Sequence, residues 1–94
     1  KGRNDYLLNH ERRHFDVAEL HARFLRKAFQ EFQPGTLNTI NSDVEYIFNA
    51  IWASYNSIQE QYDRDTQHSL NKDMQRQWDK YIKEQLEQFA KYAK

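Results

Sequence analysis

The chain has 94 residues, enough for one small domain and too few for two. Lys+Arg and Asp+Glu balance at 14 each, so the composition offers no electrostatic footprint for nucleic acid. No apolar run approaches the ~20 residues of a membrane span. With no cysteine, any metal must be held by His, Asp or Glu.

The first predicted element is a helix over about residues 5–32. Its apolar residues Leu7, Phe15, Ala18, Ala22, Leu25, Phe29 and Phe32 fall mostly three, four or seven apart, the spacing of one helical face. Asn4 or Asp5 can cap its start, and Lys27 lies towards its end, where a cation suits the helix dipole. Pro34-Gly35 then breaks the chain. A second helix, about 37–62, carries the stripe Leu37, Ile40, Val44, Ile47, Phe48, Ile51, Trp52, Tyr55, Ile58 and Tyr62. Ser42 and Glu45 have the spacing of a capping box, although the stripe begins before them. The polar connector YDRDTQHS, residues 62–69, leads to a third helix, about 70–92, with Met74, Trp78, Ile82, Leu86 and Phe89 on one face and Ser69 or Asn71 as its cap. No strand-like alternation occurs. The fold class is mainly α: three amphipathic helices in one domain, with Trp52 and Trp78 expected in the core. The chain has no initiator Met and starts nine residues before its first histidine, so an upstream segment is expected.

Residues 9–16, NHERRHFD, contain the chemistry. His10 and His14 are four apart and project from one helix face, close enough for both imidazoles to bind one tetrahedral zinc. Glu11 is turned away from the shared metal position. In an H-E-x-x-H site such a glutamate serves as general base towards the attacking water. The motif arises by chance in on the order of one in a hundred chains of this composition. The longer H-E-x-x-H-x-x-G-x-x-H pattern fails, with Val17 and Leu20 at its Gly and His positions. His21 is ~10 Å further along the helix, too far for the same ion, and reads as a polar helix residue. A third ligand must come from elsewhere: His68, Asp63 or Asp65 in the connector, or Glu45 on helix two. A helical hairpin returns the chain to the start of helix one near the end of helix two, which favours the connector. There His68 offers the commonest ligand type. Among the remaining residues, Asp16 could accept the second ring N–H of a ligand histidine, and Glu19 could pair with Arg23 or Arg12 on the helix surface. Tyr62 could face an oxyanion but also closes an apolar stripe, and Thr66 suits a turn.

LLNHERRHFDVAELHARFLRK (residues 7–27) and YDRDTQHSLNKDMQRQWDKYI (residues 62–82) together resemble a bacterial domain-of-unknown-function family described as predicted secreted zinc-dependent proteases. The shared pattern is an H-E-x-x-H-F-D block and a downstream Y-D-x-x-T-x-H block ending in Q-x-x-W. The resemblance implies a zinc hydrolase, expected to be a peptidase acting on a peptide or protein substrate. It implies His10 and His14 as ligands, Glu11 as base and His68 as third ligand. It also implies a secreted or periplasmic location, and a chain that forms the helical part of a zincin-like α+β domain. Family members tend to carry Gly after the second-block His, where Ser69 stands here. The competing expectation is a non-catalytic helical module, either a degenerate zincin or a partner-binding bundle. A packed Glu11 would favour the module.

Overall fold

The computed structural model describes residues 5–33 and 35–93. Helix α1 spans Asp5–Gln30, α2 Ile40–Thr66 and α3 Lys72–Gln88, and a single 3-10 turn follows at Ala90–Tyr92. No strand occurs among the described residues, so the chain is mainly α. Of the expected break, Pro34 lies outside the described residues. Asn4, the alternative first cap, does too.

Each boundary has a local cause. Helix α2 starts at Ile40 with Thr39 in the cap position, so Ser42 and Glu45 lie within the helix and form no capping box. Its far end runs four residues beyond the predicted one, which puts Asp63 and Asp65 on the helix and not in the connector. A Schellman closure ends it: the Gln67 N–H donates to the Arg64 carbonyl (3.2 Å) and the His68 N–H to the Asp63 carbonyl (2.9 Å). Gln67, His68 and Ser69 then take φ of 52°, 54° and 88°, a left-handed run with no glycine in it. Asn71 caps α3, its side chain accepting from the Met74 N–H at 3.0 Å.

Helices α1 and α2 form an antiparallel hairpin, with His10 beside Asp63, His14 beside Gln59 and His21 beside Ser54. Helix α3 lies along α1 from Gln75, beside His10, to the 3-10 turn, where the Tyr92 carbonyl accepts from Arg26 Nη1 at 2.8 Å. Val17, Tyr62, Trp78 and Ile82 make the core, with Ile58, Met74 and Leu86 packed against it. The buried seam of α1 is His10, Val17, Leu20 and His21, not the apolar stripe expected from the sequence; Phe15 is 76% exposed. His21 is buried and satisfied: its Nδ1–H donates to the Val17 carbonyl (2.8 Å), and its Nε2 accepts from the Ser54 hydroxyl (3.0 Å). Trp52 is also not in the core. It is 53% exposed and stacked between Phe48 and Tyr55. The reason is coverage: α3 has 17 residues and meets α2 around Ile58, Tyr62 and Asp65, beyond Trp52 towards the end of α2.

Candidate metal centre

The register of the hairpin decides the site. His10 and His14 sit one turn apart on α1, and the last turn of α2 sets Asp63 opposite both. One oxygen of Asp63, Oδ1, lies 3.1 Å from His10 Nε2 and 2.8 Å from His14 Nε2. Among the described residues these three form the group able to hold a metal ion, with ligand atoms all within 4.8 Å of one another. Tetrahedral zinc with bonds of about 2.0–2.1 Å needs its ligand atoms about 3.3–3.4 Å apart. The two separations from Asp63 Oδ1 are a few tenths of an ångström shorter, so the carboxylate would move slightly outward to admit an ion.

The other ring nitrogens show which atoms are free for a metal. His10 Nδ1 lies 2.8 Å from Gln75 Oε1, and His14 Nδ1 lies 2.5 Å from Gln59 Oε1. Each amide is oriented by its own donations. Gln59 Nε2 donates to the His14 carbonyl at 3.0 Å, and Gln75 Nε2 donates to the Tyr62 hydroxyl at 2.7 Å and to Asp79 Oδ1 at 3.0 Å. Both Oε1 atoms therefore accept, and both histidines carry a proton on Nδ1. Their Nε2 atoms point at an acceptor-only carboxylate. A carboxylate oxygen this close to two Nε2 atoms calls for a positive partner between them, either a proton on a ring Nε2 or a cation that joins all three.

The other sequence-predicted residues take different places. His68 is not part of the converging group. Its side chain is 80% exposed on the left-handed turn after α2, with Nδ1 4.0 Å from Asp63 Oδ1. The carboxylate reaches the position between the imidazoles because α2 continues as helix through Asp63, whereas His68 lies beyond the helix end and leans over the rim. Asp65 accepts from Trp78 Nε1–H at 3.1 Å, away from the histidines. Glu45 is exposed on the first half of α2. Asp16 pairs with Arg13 at 3.2 Å; the role of accepting a ring N–H falls to Gln59 and Gln75. Glu19 accepts from Arg23 Nε (2.8 Å) and Arg26 Nη1 (3.2 Å), as expected of a helix-surface pair. The Tyr62 hydroxyl is fully buried and donates to the His10 carbonyl at 2.9 Å, so it faces the core and no substrate oxyanion. Burial pushes its phenol well above the ordinary range. The Thr66 hydroxyl donates to the Tyr62 carbonyl at 2.7 Å. Glu11 is exposed on α1. An open cleft of about 510 Å³ lies beside His14 between α1 and α2, lined by Phe15, Ala18, Tyr55, Asn56 and Gln59 among others.

Residues 3–69 match the model of a family described as a bacterial protein of unknown function, DUF922. The chain belongs to that family. The match takes in α1, α2 and the turn that ends α2, hence all of His10, His14, Asp63 and His68, and it stops before α3. No curated protein and no solved structure matches the chain.

The two glutamines were missed by sequence reasoning. For Gln75 a signal existed: it opens the Q-x-x-W of the second block, a polar residue one position round from the apolar stripe of α3. For Gln59, a glutamine in a polar helix, there was none.

Proposed function

We propose that the chain carries the zinc centre of a hydrolase acting on peptide bonds, with His10, His14 and Asp63 as ligands and Glu11 as general base. One observation carries this reading: His10 Nε2, His14 Nε2 and one Asp63 oxygen converge on one point, with both histidine Nδ1 atoms already committed as donors. The donor set contains no thiolate and pairs two imidazoles with a carboxylate, which suits zinc. When bound, zinc supplies a Lewis acid that polarises a scissile carbonyl and acidifies a water molecule.

The protein's own part follows from the helix. Gln59 and Gln75 hold the rings in the ligand orientation, so little reorganisation opposes binding. Glu11 projects from α1 one residue beyond His10 and is exposed, which leaves its carboxylate able to accept the proton of an attacking water and return it to a leaving amine. That exposure also favours the enzyme over a module in which Glu11 is packed. The cleft beside His14 gives a substrate chain room along the hairpin. The family resemblance supports an exported enzyme acting on peptides or proteins, with this helical unit completing a zincin-like α+β domain.

The test pairs metal analysis with a proteolysis assay on quenched fluorescent peptide mixtures. The unchanged protein should hold about one zinc per chain. Glu11→Gln should keep the zinc and abolish hydrolysis, because an amide cannot take the water proton. Loss of zinc in Glu11→Gln, or hydrolysis that survives it, would refute the assignment of the base.

A further inference from the structure

Resting on the zinc reading above, we infer that Gln75 and Asp79 of α3 are positioning residues for the His10 ligand, so that a helix outside the family-matched segment is part of the metal site.

Gln75 is 1% exposed, a position where an unsatisfied amide would be costly and an apolar side chain would pack without penalty. Its three side-chain hydrogen bonds each have a fixed direction. Its oxygen accepts from His10 Nδ1–H, and its nitrogen donates to Tyr62 and to Asp79. Asp79 fixes the direction. Turning the amide over would set the Gln75 oxygen 3.0 Å from a carboxylate oxygen that cannot donate, and against a Tyr62 hydroxyl whose proton already serves the His10 carbonyl. Asp79 is held in turn by Asn9, whose Nδ2 donates to its second oxygen at 3.0 Å. The chain Asn9–Asp79–Gln75–His10 thus leaves α1, crosses to α3 and returns to the next residue of α1. It specifies the tautomer that leaves His10 Nε2 free to bind a metal, and it makes that nitrogen a better donor, as an outer carboxylate does for a ligand histidine. The His14 ring is held differently, by a Gln59 that bonds back to His14 itself with no residue of α3 involved. Of the two ring Nδ1 atoms, therefore, only that of His10 is held from α3.

The experiment is a zinc competition against a chromophoric chelator on the whole chain, with the thermal transition of the metal-free protein followed alongside. Gln75→Leu is expected to weaken zinc binding by about 10–100-fold. Gln75→Glu restores an acceptor for His10 but sets two carboxylates together. Adding Asp79→Asn supplies an amide that donates to the new carboxylate, so Gln75→Glu/Asp79→Asn should recover most of the affinity that Gln75→Glu loses. A purely structural role predicts no such reciprocal rescue of affinity. In the zinc-loaded protein, ¹⁵N NMR should place the His10 ring proton on Nδ1. Zinc affinity unchanged in Gln75→Leu, or a double variant no tighter than Gln75→Glu, overturns the inference while the centre stands. If Gln75→Leu does not fold, the comparison between Gln75→Glu and the double variant decides alone. Failure of the unchanged protein to bind zinc overturns both readings.

Discussion

Replacing Asp63 by Asn should move stability and metal binding in opposite directions. In the metal-free protein Asp63 Oδ1 faces two Nε2 atoms at 3.1 and 2.8 Å, and both rings already carry their proton on Nδ1. A carboxylate offers those nitrogens no hydrogen. An asparagine amide turned towards them offers two, one for each lone pair. Each new hydrogen bond is worth about 0.5–1.5 kcal/mol net. The Asp63 side chain is 33% exposed, so the lower end applies and the total gain is about 1 kcal/mol. For a domain of this size that raises the melting temperature by about 4–8 °C. The same change removes the anionic ligand, so the zinc-dependent part of the stability should vanish. With free zinc at about one hundred times Kd, the unchanged protein gains about 2.7 kcal/mol. Differential scanning fluorimetry with and without zinc at pH 7.5 reads both effects. Asp63→Asn should melt higher than the unchanged protein without metal and show no zinc shift, whereas His68→Ala should keep the full shift. If Asp63→Asn keeps the shift and His68→Ala loses it, the third ligand is His68 and the geometry argued above is wrong. If metal-free Asp63→Asn melts lower, the rings were protonated on both nitrogens and paired with the carboxylate.

Three further outcomes follow from the packing. Tyr62→Phe removes a buried hydroxyl that donates to His10 O and accepts from Gln75, and should lower the unfolding free energy measured in urea by about 1–3 kcal/mol; no change would mean these bonds add nothing. Ser69→Gly relieves a side chain held at φ 88° and should raise the urea midpoint, by about 0.5–1 kcal/mol in free energy, whereas a drop would show that the Ser69 side chain outweighs the strain. The Arg23 hydrogen bond, opposed in part by burial and supported by Arg26, holds the Glu19 carboxyl below its usual 4.5. A depressed carboxylate stabilises the fold above its unfolded value and ceases to do so as pH falls through the folded one. Glu19→Gln should therefore cost about 0.5 kcal/mol at neutral pH, a figure discounted for solvent screening, and the cost should fade on acidification below pH 4.5. A cost that stays constant with pH would assign the effect to packing instead.

The sequence made the helices legible because their period is strong, and the hairpin argument correctly brought the end of the second helix to His10. It left the core half-read. The apolar stripe read from the spacing of α1 omits Val17 and Leu20, and the buried seam also contains His10 and His21, two polar residues that no hydropathy pattern selects. Phe15 and Trp52 looked like core by residue type, but burial depends on how far α3 reaches, and its length does not reveal its placement. The boundary between Asp63 and His68 was also hidden. YDRDTQHS reads as a polar connector, yet its first half continues the helix because a left-handed closure at Gln67 ends α2 without a glycine or proline to mark it. That shift of four residues decides which side chain faces the histidines.

Contacts that build the candidate centre also join the helices. His10 of α1 meets Asp63 of α2 and Gln75 of α3, and Tyr62 stacks on the His10 ring at 4.7 Å while its hydroxyl bonds to the His10 carbonyl. Around this junction the apolar core is small, with four buried side chains at its centre. In such a domain the free energy of binding an ion is also free energy of holding the helices together, because an unfolded chain presents no preformed site. An ion bound there would act on the junction of all three helices at once, and the exposed first half of α2, which lies away from it, should gain the least. Amide hydrogen exchange with and without zinc measures this directly. Added protection should centre on residues near His10, Asp63 and Gln75 and fade towards Phe48 and Trp52. Equal protection along the whole hairpin would show that metal and fold are coupled as one unit, and not through this junction.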